Sequence, residues 1–178
     1  MNPAQLSREL REGQSADLTR RRWIVGLSLL GALMAQAVSL YQTGALKRLP
    51  DLPLPIFDSE KVDASTYAYK RLETPDGLLM LITYGVTAAL AGAGGMRRAQ
   101  TRPWLPILMG AKIAYDVALG LVLAREEWAE NKALCMYCMI ATAASAASLP
   151  LAMPEVMRAA GALPNGDPVQ RIRETLDV

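Results

Sequence analysis

Both cysteines of this 178-residue chain lie in one motif, Cys135-Met136-Tyr137-Cys138. Two thiols at this spacing can open and close a disulfide, and the thiolate is the attacking species in such exchange. The motif follows Lys132 and opens a long apolar run, which places it in the first turn of a helix. A helix N-terminus carries about half a positive charge and free N–H groups, and both favour a thiolate. Two other readings compete. Cysteines on a membrane helix also serve as small apolar filler. A thiolate pair also binds metal when a partner supplies the remaining ligands. Placing every cysteine in one CxxC at a helix start favours redox chemistry.

A second candidate is Lys112 with Asp116, one helical turn apart on one face and alone in their charge within residues 103–124. A lone charge at mid-membrane costs about 2.5 kcal/mol or more, so both must face the protein interior. The pair reads either as a proton relay and polar floor or as a self-neutralising packing device. Tyr84 and Tyr115 are its candidate polar neighbours.

Composition removes other chemistries. With no His, His-ligated haem or zinc and any Ser–His or Cys–His nucleophile are excluded, so no metal and no haem are expected. A net charge of +2 is too small to suggest nucleic-acid binding. The Ala91–Gly95 stretch sits at a helix end rather than opening a helix after a strand, so it is no phosphate loop.

The elements that must position the CxxC are four. Residues 23–46, 77–96 and 133–154 contain no Asp, Glu, Lys or Arg, and 103–124 contains only the pair above. At about 1.5 Å per residue each run crosses roughly 30 Å of hydrocarbon. The predicted fold is all-α and integral to the lipid bilayer, an up-down four-transmembrane-helix bundle over residues 23–155. Residues 47–76 form an extracytoplasmic cap loop, 125–132 an outer connector, and 1–22 and 156–178 terminal tails. The apolar run continues past Ala35-Gln36-Ala37 to Leu46, which favours a retained first helix over a cleaved signal peptide. In the cap, Pro50, Pro53 and Pro55 favour extended backbone, and one short helix is predicted within Asp58–Leu72. Tyr67, Tyr69 and Leu72 are expected on the membrane surface. Pro150 and Pro154 are expected to mark the end of the fourth helix, whose small residues permit close packing.

Charge sets the orientation. Eleven arginines lie in the tails and in 97–102, against seven basic residues with nine carboxylates in 47–76 and 125–132. The positive-inside rule then puts both termini in the cytoplasm and the CxxC near the extracytoplasmic face, in an oxidising compartment. Trp23, Trp104 and Trp128 are expected at helix starts, as interfacial anchors.

A first helix ending in Val38-Ser39-Leu40-Tyr41, a long outer loop and a CxxC opening the fourth helix together resemble the vitamin K epoxide reductase family. Leu49-Pro50-Asp51 and Phe57-Asp58-Ser59 resemble a bacterial branch of it. The resemblance covers about residues 23–155. It implies a bundle around a quinone of the ubiquinone or menaquinone class, with electrons passing from thiols to quinone in support of disulfide formation. By the same resemblance Cys138 meets the quinone and Cys135 exchanges with an incoming thiol. Asp76 falls where the family places an Asn that hydrogen-bonds a quinone oxygen, and Tyr137, Tyr84 and Phe57 complete the expected quinone-binding set. The implied setting is a bacterial inner membrane, with a thioredoxin-like periplasmic thiol protein as electron donor. One departure is plain: the family's second cysteine pair, in the first outer loop, is missing from 47–76. The competing reading is a non-catalytic, quinone-binding or stabilising subunit of a larger membrane complex.

Overall fold

A computed structural model describes residues 2–163; the rest of the C-terminal tail expected from 156 lies outside the described residues. A short helix α1 (Pro3–Glu12) precedes α2 (Ala16–Gln42). The cap carries α3 (Ser59–Asp63) and a single 3-10 turn, Thr66–Tyr69. Then come α4 (Asp76–Gly92), the one-turn α5 (Arg98–Thr101), α6 (Trp104–Asn131) and α7 (Met136–Ala162). Helices α2, α6 and α7 are long and apolar enough to cross a membrane, and α4 is a shorter apolar helix. The chain is a multi-pass membrane protein. These four helices close into a ring in which α2 packs on α4 and α7, and α6 on α7 and, more sparingly, on α4.

Several helix ends differ from the apolar runs, because charge ends a span without ending a helix. Ser15 caps α2, accepting a hydrogen bond from Leu18 N–H at 3.1 Å, so Arg20–Arg22 belong to the helix. Residues 125–131 hold no helix breaker, and α6 runs through the expected connector until Lys132 adopts a left-handed φ of 53°. Trp128 consequently sits in the last turns of α6 rather than at the start of the next helix. Pro150 and Pro154 lie inside α7, which is carried onward by packing of the buried Ala152, Glu155 and Ala159.

At the other end α4 stops at Gly92, where Gly94 takes a φ of +78° that glycine adopts without strain. Two buried arginines satisfy the carbonyls freed there. Arg21 donates to Ala91 O at 2.8 Å, Ala93 O at 2.8 Å, Gly94 O at 2.9 Å and Gly95 O at 3.1 Å. Arg98 donates to Leu90 O at 2.6 Å and Ala93 O at 2.7 Å, and pairs bidentately with Glu155 at 2.8 Å for both bonds. Arginines that count toward topology in the sequence are thus also the buried clamp on this end of the bundle.

The cap folds inward. Val62, Leu49 and Tyr67 form one buried cluster with Val38, Ala133 and Cys135. Tyr67 is buried, and its hydroxyl donates to Leu123 O at 3.0 Å, whereas Leu72 is exposed. Tyr67 therefore pins the cap to α6 instead of lying on the membrane surface.

Candidate active site

Helix α7 starts on its own cysteine. Cys135 is the N-cap residue, and its Sγ accepts a hydrogen bond from Cys138 N–H at 3.2 Å, the role Ser, Thr, Asp or Asn usually fills. Three elements hold the motif in place. From α6, Glu127 accepts the Cys135 N–H at 3.1 Å. From the cap, Asp58 N–H donates to Leu134 O at 3.2 Å and Ile56 O accepts Leu134 N–H at 2.9 Å, a parallel bridge between Phe57 and Leu134. Ser59 Oγ accepts the Met136 N–H at 2.9 Å.

Ser59 is itself clasped. Its hydroxyl and backbone N–H donate to the two oxygens of Asp51 at 2.5 and 2.6 Å. A hydrogen-bonded clasp thus closes the proline-rich loop and tethers it to the CxxC, where no cysteine is present to do so. Ser59→Ala should remove the two hydroxyl bonds, to Asp51 and from the Met136 N–H, while the backbone bond to Asp51 stays; this should cost about 1–3 kcal/mol and loosen the cap. The measurable result is faster alkylation of Cys135 by a maleimide than in wild type.

The two thiols face different surroundings. Cys135 is 0% exposed beneath the cap. Cys138 lines a cavity of about 180 Å³ between α4, α6 and α7. Leu79, Met80, Leu119, Leu123 and Met139 supply apolar wall, and Arg71, Asp76, Tyr84, Asp116 and Glu127 supply polar groups. Asp76 accepts from Gln42 Nε2 at 2.6 Å, and Gln42 Oε1 accepts the Gly77 N–H at 3.0 Å, which fixes the start of α4 against α2. Tyr84 packs its ring where Gly31 has no side chain; a Cβ there would lie 2.4 Å from Tyr84 Cε1. The Tyr84 hydroxyl accepts from Ser145 Oγ at 3.1 Å.

Lys112 donates to both Asp116 oxygens at 2.6 Å, and to Thr83 Oγ1 and O at 3.2 and 3.3 Å. Thr87 Oγ1 donates to Asp116 at 3.2 Å. The polar neighbours of the pair are threonines of α4 rather than tyrosines. Asp116 reaches the cavity wall, so pair and cavity are continuous.

Of the sequence candidates, Cys138, Asp76, Tyr84 and Asp116 converge on the cavity, and Lys112 is tied to them. Tyr137 and Phe57 lie outside it. Tyr137 donates its hydroxyl to Pro50 O at 2.7 Å and packs against the cap cluster, while Phe57 takes part in the backbone bridge. The sequence reading passed over Gln42, Ser59, Asp63 and Glu127. Asp63 is 1% exposed on α3, with a carboxylate oxygen within 4.8 Å of both sulfurs. Burial is the main cause that lifts its carboxyl to about 8; the adjacent Cys135 thiol works against it as a hydrogen-bond donor, and the carboxylates Asp76, Glu127 and Asp51 add to the rise. Burial likewise pushes the Cys135 thiol up, with Asp63 and Glu127 adding to the rise. The pull of the helix N-terminus toward a thiolate is therefore outweighed. Two sulfurs and one carboxylate also fall short of the four donors of a structural zinc site.

Two free cysteines thus stand at the head of a membrane helix, the partly buried Cys138 on a largely apolar cavity and the buried Cys135 beneath the cap. Residues 22–153 match the family model described as the vitamin K epoxide reductase family, and the chain belongs to that family. Its members are four-transmembrane-helix, quinone-dependent thiol oxidoreductases. No curated protein and no solved structure matches the chain.

Proposed function

We propose that the protein is a thiol–quinone oxidoreductase in which Cys135 and Cys138 deliver two electrons to a quinone and are left as a disulfide. The observation that carries this reading is the division of the motif: Cys138 opens on the cavity while Cys135 lies under the cap. The cavity fits a ring head group. Its wall is largely apolar, and it offers Asp76 and Tyr84 as polar groups in the same lining as the sulfur. A quinone bound there supplies a two-electron acceptor. Helices α4 and α6 pack on each other more sparingly than the other neighbouring pairs of the ring, and this seam is where the quinone tail would leave for lipid.

The electron donor meets Cys135. A thioredoxin-like periplasmic thiol protein fits this role, with the protein in a bacterial inner membrane, both termini cytoplasmic. The chain has no loop cysteines to relay electrons, so the donor must exchange directly with Cys135. That requires the cap to open, because Cys135 is fully buried. The same burial favours a second reading, a quinone-binding subunit of a larger complex whose dithiol never turns over.

Purified protein in detergent, given a reduced dithiol donor and ubiquinone or menaquinone analogues, separates the two. The first reading predicts quinol formation in wild type and none in Cys135→Ala. Quinone binding without turnover under any donor would favour the subunit.

A further inference from the structure

We infer that Asp63 is the proton-transfer residue of the dithiol, accepting the Cys135 proton as the disulfide forms and returning it when the disulfide is reduced. The inference rests on the proposed thiol–quinone activity and assigns that site a residue outside the CxxC. Geometry carries it. The carboxylate is 1% exposed, and an oxygen of it lies within 4.8 Å of both sulfurs. One oxygen accepts a long bond from Gln42 Nε2 at 3.4 Å, Oδ2 has no well-formed hydrogen bond, and the Cys135 thiol is the side-chain donor that acts on the carboxyl most strongly. A carboxylate oxygen left bare in a sealed pocket is costly unless a proton visits it. Of the described groups beside it, the two thiols are those whose protons leave and return with the redox cycle.

The surroundings of Asp63 come from every packed element. They are Asp51 in the loop, Tyr41 and Gln42 on α2, Tyr69 in the 3-10 turn, Asp76 on α4, Glu127 on α6 and the two cysteines of α7. No Lys or Arg is among the groups that act most on its carboxyl; the nearest cationic influence is Arg71, which acts on the neighbouring Asp76 and Glu127. Burial with three neighbouring carboxylates holds it near neutrality, where one group can both take and give a proton.

The balance is as follows. On oxidation the S–H bonds of Cys135 and Cys138 break and one S–S bond forms, and the electron pair leaves for the quinone. The Cys138 proton follows it, the Cys135 proton moves to ionised Asp63, and solvent supplies the second proton of the quinol. On reduction an incoming dithiol breaks the S–S bond and is itself oxidised to a disulfide. Cys135 leaves as a thiolate and recovers its proton from Asp63, while the donor protonates Cys138 and returns one proton to solvent.

The test needs no quinone. Reduced full-length protein in detergent is oxidised with diamide between about pH 6 and 9.5, and free thiols are counted with time. Wild type should speed up through the range where Asp63 ionises. Asp63→Asn, close in shape, should be slower by at least about tenfold at pH 8 with its rise displaced to higher pH, and Asp63→Glu should recover much of the rate. Infrared difference spectra on oxidation should show a protonated-carboxyl band that Asp63→Asn lacks. If Asp63 were only a neighbouring negative charge, its removal would make the thiol more acidic and speed oxidation. A faster or unchanged Asp63→Asn, or no carboxyl band, overturns the inference while leaving quinone reduction by the CxxC intact. Matching thermal unfolding of the variants excludes a folding defect as the cause of a slower rate.

Discussion

Cys138→Ala should leave a folded protein that still binds quinone but turns over at least about a hundredfold more slowly than wild type. The expectation follows from placement. Among the described residues Cys138 is the only one carrying a thiol onto the cavity wall, and the fully buried Cys135 does not line it. Cys135 cannot stand in for it without unwinding the first turn of α7, where its Sγ holds the Cys138 N–H. Quinol formation and quinone binding, measured on one preparation, separate loss of chemistry from loss of the pocket. Residual turnover near wild type would mean that electrons reach the quinone by another route.

The largest expected effect on stability belongs to the opposite end of the bundle. Arg98→Met should cost about 3–5 kcal/mol, because it strands Glu155 as a buried charge without its partner. Arg98 and Glu155 are 1% and 2% exposed in their side chains, and Arg98 also satisfies two carbonyls at the end of α4. Against a total stability of about 5–15 kcal/mol this is a large fraction. Removing both charges, as in Arg98→Met with Glu155→Leu, should recover part of the loss, since no orphan ion then remains. Denaturant unfolding of the single and double variants reads the difference. A double variant no better than the single would place the cost in the α4 carbonyls instead of the ion pair.

How far the sequence carries can be seen residue by residue. Three uncharged runs, and a fourth charged only at Lys112 and Asp116, mark the four bundle helices, because a charge in hydrocarbon is costly and its absence over 20 residues is informative. Helix ends are less legible. Glu126 and Glu127 close a span but suit a helix, so α6 continues to Asn131. Pro150 and Pro154 break isolated helices but are tolerated in α7, where packing on neighbouring helices holds the backbone. At the site, Cys135 and Cys138 announce themselves by spacing. Asp63 does not: it is one of nine carboxylates in residues 47–76 and 125–132, and only the fold of the cap separates it from exposed ones such as Asp58. Ser59 and Asp51 are similarly silent, since their bonds span eight residues of irregular loop. Tyr137 shows the reverse, a residue inside the motif whose side chain the fold turns to the cap.

The central claim is that this CxxC alone passes electrons to a quinone, without loop cysteines. A single-turnover experiment tests it most directly: pre-reduced protein is mixed with one equivalent of quinone and no thiol donor, and quinol and disulfide are counted together. The account predicts one quinol formed for each Cys135–Cys138 disulfide. Bound quinone that stays oxidised beside a reduced dithiol would contradict it.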